Sequence, residues 1–269
     1  MSGLKVWVQG IGLLGPGLNS WAASLDVLRG SAPATRAATS LPAPSRLPPA
    51  ERRRAGAAVK LALAVADEAV AQAQVDPSLL ATVFTSSSGE GTNCHSLCET
   101  LATPAPMVSP TRFTNSVHNA ASGCWHIAVG SRASSTSLCA FDGSFGAGLL
   151  EAATSVALSR APMLLVASDS PYPEPLHATR PLPDHFGLAL VLAPKADARS
   201  IAALTIDTVD ARHAASVCAD AALEALRRAI PAAAALPLLI ALAGPRQRDA
   251  QRSVVLDYLD RMRVQVETL

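Results

Sequence analysis

Apolar and polar positions along the chain fall into two regimes. Short, nearly unbroken apolar runs bounded by Gly, Pro, Ser or Asp predict strands over residues 4–10, 81–85, 163–168, 187–193 and 201–209. Longer stretches with apolar positions three and four apart predict helices over 20–28, from 51 to about 74, over 114–130 and over 220–230. The first of these would be capped by Asn19, and the long second one, with Leu61, Val65 and Ala69 on one face, is closed by Asp76-Pro77. Residues 30–50 carry Pro, Ala and Ser without periodicity and predict a surface excursion. Near the end of the chain, 238–242 predicts a strand, 248–260 a helix and 264–266 a final strand. Such alternation implies an α/β fold with a mostly parallel sheet and helices on both faces.

One stretch stands apart. Residues 135–153 run from a short apolar segment through small residues into a helical pattern, which predicts a strand, a tight turn at Asp142 and a helix. An elbow of this kind lifts a side chain from the sheet edge and points the first free N–H groups of the helix at it. Asp142 suits a helix start, where a carboxylate also caps. Two neighbours are candidate nucleophiles. Cys139, three residues upstream, is expected to point into the core, and Ser144, two downstream, lacks the G-x-S-x-G context of a hydrolase elbow.

Other motifs carry less chemistry. Gly10-Ile11-Gly12-Leu13-Leu14-Gly15 spells G-x-G-x-x-G after a strand, but Pro16 and Gly17 follow where a dinucleotide fold would start its helix, and no second strand ending in an acidic residue follows. The glycines are therefore expected to shape a turn. Arg52-Arg53-Arg54 at the start of the long helix would oppose the helix dipole and so invite an acidic carrier or partner subunit, although a solvated helix end is the favoured reading. Cys94 and Cys98 share a helix face around His95; without further ligands at zinc-like spacing they are expected to be buried thiols rather than a metal site. The loop 86–91, rich in Ser and Gly, has the composition of a site-facing strand end.

Bulk properties narrow the function classes. The chain has 269 residues, 49% of them hydrophobic, with a mean hydropathy of +0.27 that comes largely from Ala. Its longest apolar run, 232–243, is too short for a bilayer and is interrupted by Pro237, so no membrane span is expected. A net charge of +1 gives no electrostatic case for nucleic acid. Met1 to Lys5 lead into the first strand with no secretory apolar region, and the five Cys at 94, 98, 124, 139 and 218 are an odd number; both point to a cytoplasmic protein with reduced thiols. No cofactor is implied.

From Gly3 to about Asp207 the chain resembles the N-terminal half of β-ketoacyl synthases. The resemblance rests on the first strand and its glycines, the Arg-opened helix, the Ser/Gly loop, Asn115-Ser116-Val117-His118-Asn119-Ala120 and the elbow. It implies a thiolase-like fold, with residues 3–209 as the half-like domain and 210–269 as a reduced second half packed on the same unit. The family carries its acyl-accepting Cys at the elbow. Here Asp142 stands in that position, and a carboxylate is a poor nucleophile towards a thioester. A complete condensing enzyme draws two histidines from its second half, whereas 216–269 holds no His and one Gly, Gly244. The blocks 117–123 and 144–152 are most similar to truncated, chain-length-factor-like proteins that accompany ketosynthases in aryl polyene and xanthomonadin-type pathways.

The resemblance thus implies a non-catalytic subunit paired with an active ketosynthase, meeting acyl carrier protein only indirectly. Asn115, His118, Asn119, Phe141 and Phe145 become interface or acyl-tunnel candidates. His118 stands open as a general base or a hydrogen-bonded interface histidine. The competing readings are an independent acyltransferase or hydrolase using Cys139 or Ser144, and an acyl-carrier-binding module.

Overall fold

The computed structural model describes residues 3–244, 252–260 and 262–268. In chain order its strands are β1 (Leu4–Leu14), β2 (Ala81–Thr85), β3 (Ser135–Leu138), β4 (Met163–Asp169), β5 (Phe186–Ala193), β6 (Ala202–Asp210), β7 (Arg252–Leu259) and β8 (Met262–Thr268). The helices are α1 (Leu25–Leu28), α2 (Pro49–Arg54), α3 (Ala57–Ala73), α4 (Gly91–Leu101), α5 (Pro110–Thr114), α6 (Ala120–Val129), α7 (Ser144–Ser159), α8 (Leu176–Thr179), α9 (Ala221–Ala229) and α10 (Leu236–Ala243).

All eight strands form one sheet in the order β3-β2-β4-β5-β1-β6-β8-β7. The expected α/β class holds, but the sheet is mixed rather than mostly parallel. Only β3, β2 and β4 run parallel, joined by helical crossovers; every other neighbouring pair is antiparallel. Helices cover both faces. On one side α7, α10 and the 3₁₀ segment Pro231–Ala235 pack on Leu165, Leu188, Leu190 and Leu192; on the other, α3 and α6 pack on Leu164, Val166, Ala189 and Val191. The period-two alternation along β4 and β5 assigns each residue to its layer.

β1 runs on through the glycine motif instead of turning there. A Cβ on Gly10 would lie 2.1 Å from the Ala69 carbonyl oxygen, and one on Gly12 1.9 Å from that of Val65. These glycines let α3 lie directly on the strand, so the motif is a helix-packing surface. A register shift between Val8 and Gly10 restores the phase, so that Val6, Val8, Ile11 and Leu13 all face the α7 side. From α3, Gln72 Oε1 accepts from Ile11 N at 2.7 Å, and the Glu68 carboxylate accepts from Leu13 N at 2.9 Å and Trp21 N at 2.7 Å. Burial pushes the Glu68 carboxyl up while those donors pull it back.

Several expectations are corrected. The helix predicted from 51 breaks at Ala55, whose backbone is extended, so Arg52, Arg53 and Arg54 occupy the last turn of α2. That end of the dipole favours cations, and the arginines need no anionic partner to be stable there. The helix predicted from residue 20 is a 3₁₀ turn (Ala22–Ser24) followed by α1, and Ser20 Oγ, not Asn19, accepts from Ala23 N. The helix predicted over 114–130 begins only at Ala120. In the tail, 238–242 lies inside α10, whose apolar run is buried nearly all round with Pro237 in its first turn. Of the helix predicted over 248–260, the first residues lie outside the described ones and the rest is β7. The predicted boundary at 209/210 falls within β6, and β8 pairs along β6 from Thr268↔Leu204 to Met262↔Asp210, so the tail extends the same sheet.

Candidate functional site

β3 lies at the edge of the sheet and β2 beside it, and the chain turns over Cys139–Gly143 into α7. The helix can approach because Gly143 has no side chain: a Cβ there would stand 1.9 Å from the Tyr258 carbonyl oxygen. Phe145, Leu149, Ala152, Ala153 and Val156 anchor its inner face. Ser144 is almost fully buried and holds the turn, accepting from Ala140 N at 3.0 Å and donating to Phe141 O at 2.7 Å, while Thr85 Oγ1 donates to Ser144 O at 2.8 Å. Its hydroxyl is engaged in shaping the elbow, which removes it as an accessible nucleophile.

The apex is Phe141, a non-glycine residue at φ 52°, one position before the predicted Asp142. A left-handed conformation at such a residue is strained by about 1–3 kcal/mol and persists where surroundings hold it. Phe141 is 60% exposed, and the Arg180 guanidinium lies 3.6 Å from its ring centroid. The same guanidinium pairs with the Asp142 carboxylate and lies 5.8 Å from the Tyr172 ring. Asp142 does not cap α7: the N-cap position is Gly143, with no side-chain cap. Phe145, by contrast, is 1% exposed within the chain's own core and cannot face a partner. Cys139 is exposed rather than core-facing, with Sγ donating to Ser87 O at 3.1 Å.

Behind the elbow, Asp169 ends β4 and is 2% exposed. Its Oδ1 accepts from Ser87 N and Ser87 Oγ, both at 2.8 Å, and from Ser86 Oγ at 3.1 Å; Oδ2 accepts from Ala232 N at 2.8 Å. One carboxylate therefore ties the 86–90 loop to the Pro231–Ala235 segment. Burial pushes its carboxyl up, and these donors pull against that shift. Sequence reading missed both Asp169 and Arg180. An acidic residue closing an apolar strand was a usable signal for the first; nothing marked the second, 38 residues from its partner.

His118 and Asn119 come together beside β3, where they line a shallow groove of about 360 Å³ with Ser122, Ser135 and Ser137. His118 Nε2 sits 3.2 Å from Ser86 O. Asn115 follows α5 at the other end of this loop, its carbonyl 3.5 Å from Asn93 Nδ2. On the far side of the elbow, Asp142 and Arg180 line a cleft of about 430 Å³ with Arg227, Arg228 and Asp257. Arg227 is already held by Glu224, at 2.7 and 2.8 Å, and this pairing holds the Glu224 carboxyl down to about 2.

The expected buried pair Cys94 and Cys98 is exposed on α4, because no residue of that helix is buried. Among the described residues no group of three His, Cys, Asp or Glu is placed to hold a metal ion, and no helix is long and apolar enough to cross a membrane.

A family model described as beta-ketoacyl synthase, N-terminal domain, matches residues 21–237. No curated protein sequence matches the chain. Among solved structures, the chain is similar to one in the ketosynthase ApeO in complex with its chain length factor ApeC from Xenorhabdus doucetiae, at 22% identity and a TM-score of 0.72, covering 98% of this chain and 99% of that one. It is also similar to the ishigamide ketosynthase/chain length factor, at 17% identity, TM-score 0.74 and 99% of both chains. A third likeness is to AntDE:AntF, a type II PKS acyl-carrier protein in complex with its ketosynthase bound to the hexaketide, at 12% identity, TM-score 0.73, with 100% of this chain and 99% of that one covered.

Proposed function

Because the chain belongs to the β-ketoacyl synthase family through its N-terminal domain, we propose that it is a chain-length-factor-like subunit that pairs with an active ketosynthase and performs no condensation itself. The observation that carries this reading is the elbow: its apex presents an aromatic ring and an Asp142 carboxylate paired with Arg180, and a carboxylate is a poor nucleophile towards a thioester. The solved chains that match it over nearly their full length come from ketosynthase and chain length factor assemblies, which supports the partner's class.

A surface suited to pairing surrounds β3. Its inner edge is used, Thr82 N donating to Ser134 O at 3.0 Å and Ser86 N to Leu138 O at 3.4 Å, so by alternation the backbone of Ser135 and Ser137 points outwards. That outer edge has no strand beside it among the described residues. The opposite edge is treated differently: along β7, Ser216 N donates to Val255 O at 2.8 Å and Ser216 Oγ accepts from Val255 N at 3.0 Å. A bare edge invites strand addition. Next to it, exposed Gly123 and Ile127 lie on one face of α6, and nothing stands within 4 Å of a Cβ built on Gly123. Leu101, Met107, Phe113 and Val117 add an exposed apolar arm. Phe141 would limit the length of the acyl chain grown by the partner, with acyl carrier protein engaged by the pair and the product a polyene or other fatty-acid-type chain in the cytoplasm.

The test is co-expression with the ketosynthase encoded nearest to this chain, followed by sizing and acyl-loading mass spectrometry. A one-to-one complex acylated only on the partner is expected. Acylation of this chain, for which exposed Cys139 is the accessible thiol of the elbow, would replace the reading with an enzyme of its own.

A further inference from the structure

The segment between β4 and β5 contributes one side chain whose placement the pairing surface does not explain. Arg180 follows α8 and its backbone N donates to Leu176 O at 3.0 Å, which fixes where its side chain starts. The side chain then crosses to the elbow and contacts two consecutive residues in two different ways. Its guanidinium carbon lies over the Phe141 ring, 3.6 Å from the centroid, while a terminal N–H donates to the Asp142 carboxylate. Arg180 is the more enclosed partner, its side chain 23% exposed against 67% for Asp142. Phe141 has left-handed backbone and is mostly exposed, and the guanidinium lies against its ring.

We propose that Arg180 is a positioning residue that locks the Phe141 ring at the apex of the elbow, with Asp142 holding the guanidinium flat against it. Stacking and edge donation together need a planar, permanently charged fork; a lysine ammonium supplies the charge without the plane. Asp142 then has a role that does not depend on nucleophilicity: it orients Arg180, and Arg180 orients the ring. The consequence for product length rests on the pairing reading given above, whereas the lock itself does not.

The experiment is ¹⁹F NMR on the full chain carrying 4-fluorophenylalanine at position 141, in whichever assembly it purifies. The wild-type background should give one resonance displaced from the free amino acid by the cation above the ring. Arg180→Gln should move it towards the free position and broaden it, Arg180→Lys should fail to restore it, and Asp142→Asn should displace it in the same sense but less. A label at Phe145, inside the core, should not respond, which separates local release from unfolding. A Phe141 resonance unchanged in Arg180→Gln and Asp142→Asn overturns the proposal. In the complex with the ketosynthase, Arg180→Gln should shift product lengths in the same direction as Phe141→Ala, with the double variant going no further than Phe141→Ala alone. A displaced resonance with unaltered product lengths keeps the lock and removes the tunnel reading.

Discussion

At the scale of single residues, the two phenylalanines of the elbow separate cleanly. Phe145 fills the core under α7, so Phe145→Ala should destabilise the chain by about 3–5 kcal/mol in urea or thermal denaturation. Phe141→Ala removes an exposed ring and should cost less than about 1 kcal/mol while lengthening the products of the complex; unchanged lengths would count against a tunnel role. Ser144→Ala should cost about 1–3 kcal/mol, since it leaves Ala140 N without its acceptor inside the turn. That Asp142 belongs to the turn before α7 was legible in the sequence, because small residues separate a short strand from a helical pattern there. The apex at Phe141 was not, because no residue-type signal marks a left-handed phenylalanine. Nor was the burial of Phe145, which follows from its helical phase once the turn is placed one residue earlier.

At the scale of elements, β3 and α6 carry the pairing predictions. Ser137→Pro removes an N–H that points away from β2, so it should leave the fold intact yet prevent co-purification of the ketosynthase. On α6, Gly123→Ala should stabilise the lone chain by about 0.5–1 kcal/mol through helix propensity, whereas Gly123→Leu should weaken the complex. The α9 clamp gives a pH signature. The Glu224 carboxyl is held down to about 2 by Arg227, below its ordinary value, so the clamp stabilises fully above the ordinary carboxylate range and fades as pH falls towards 2. The stability gap between wild type and Glu224→Gln should therefore narrow between pH 5 and about pH 2.5. Strands bounded by turn residues were legible, as at β2 and β4. α10 and β7 were read the wrong way round: a short run that is apolar all round does not distinguish a buried helix from a strand, and the charges of β7 masked the alternation of Val254 and Leu256.

At the scale of the whole molecule, one sheet takes strands from Leu4–Leu14 and Met262–Thr268, so cleavage at the anticipated 209/210 boundary would leave β8 paired to β6 across the cut instead of releasing a domain. A lone chain, with its β3 edge bare, should self-associate at rising concentration on sizing chromatography, and Ser137→Pro should suppress this. Fold class was legible from the alternation of elements, but strand direction was not, because antiparallel insertion of β1 between β5 and β6 depends on contacts far apart in sequence. That central place of β1 sets a timetable for synthesis. β1 leaves the ribosome before the other described strands, and it pairs through Leu14 with Gly187 and through Leu4 with Ile206. At roughly 5–20 residues per second, its apolar side chains wait on the order of ten seconds or more for their neighbours to be made. A nascent chain of this topology carries uncovered apolar side chains while its partner strands are made, so its folded yield should change with elongation speed, as expression from slowed and unslowed coding sequences would show.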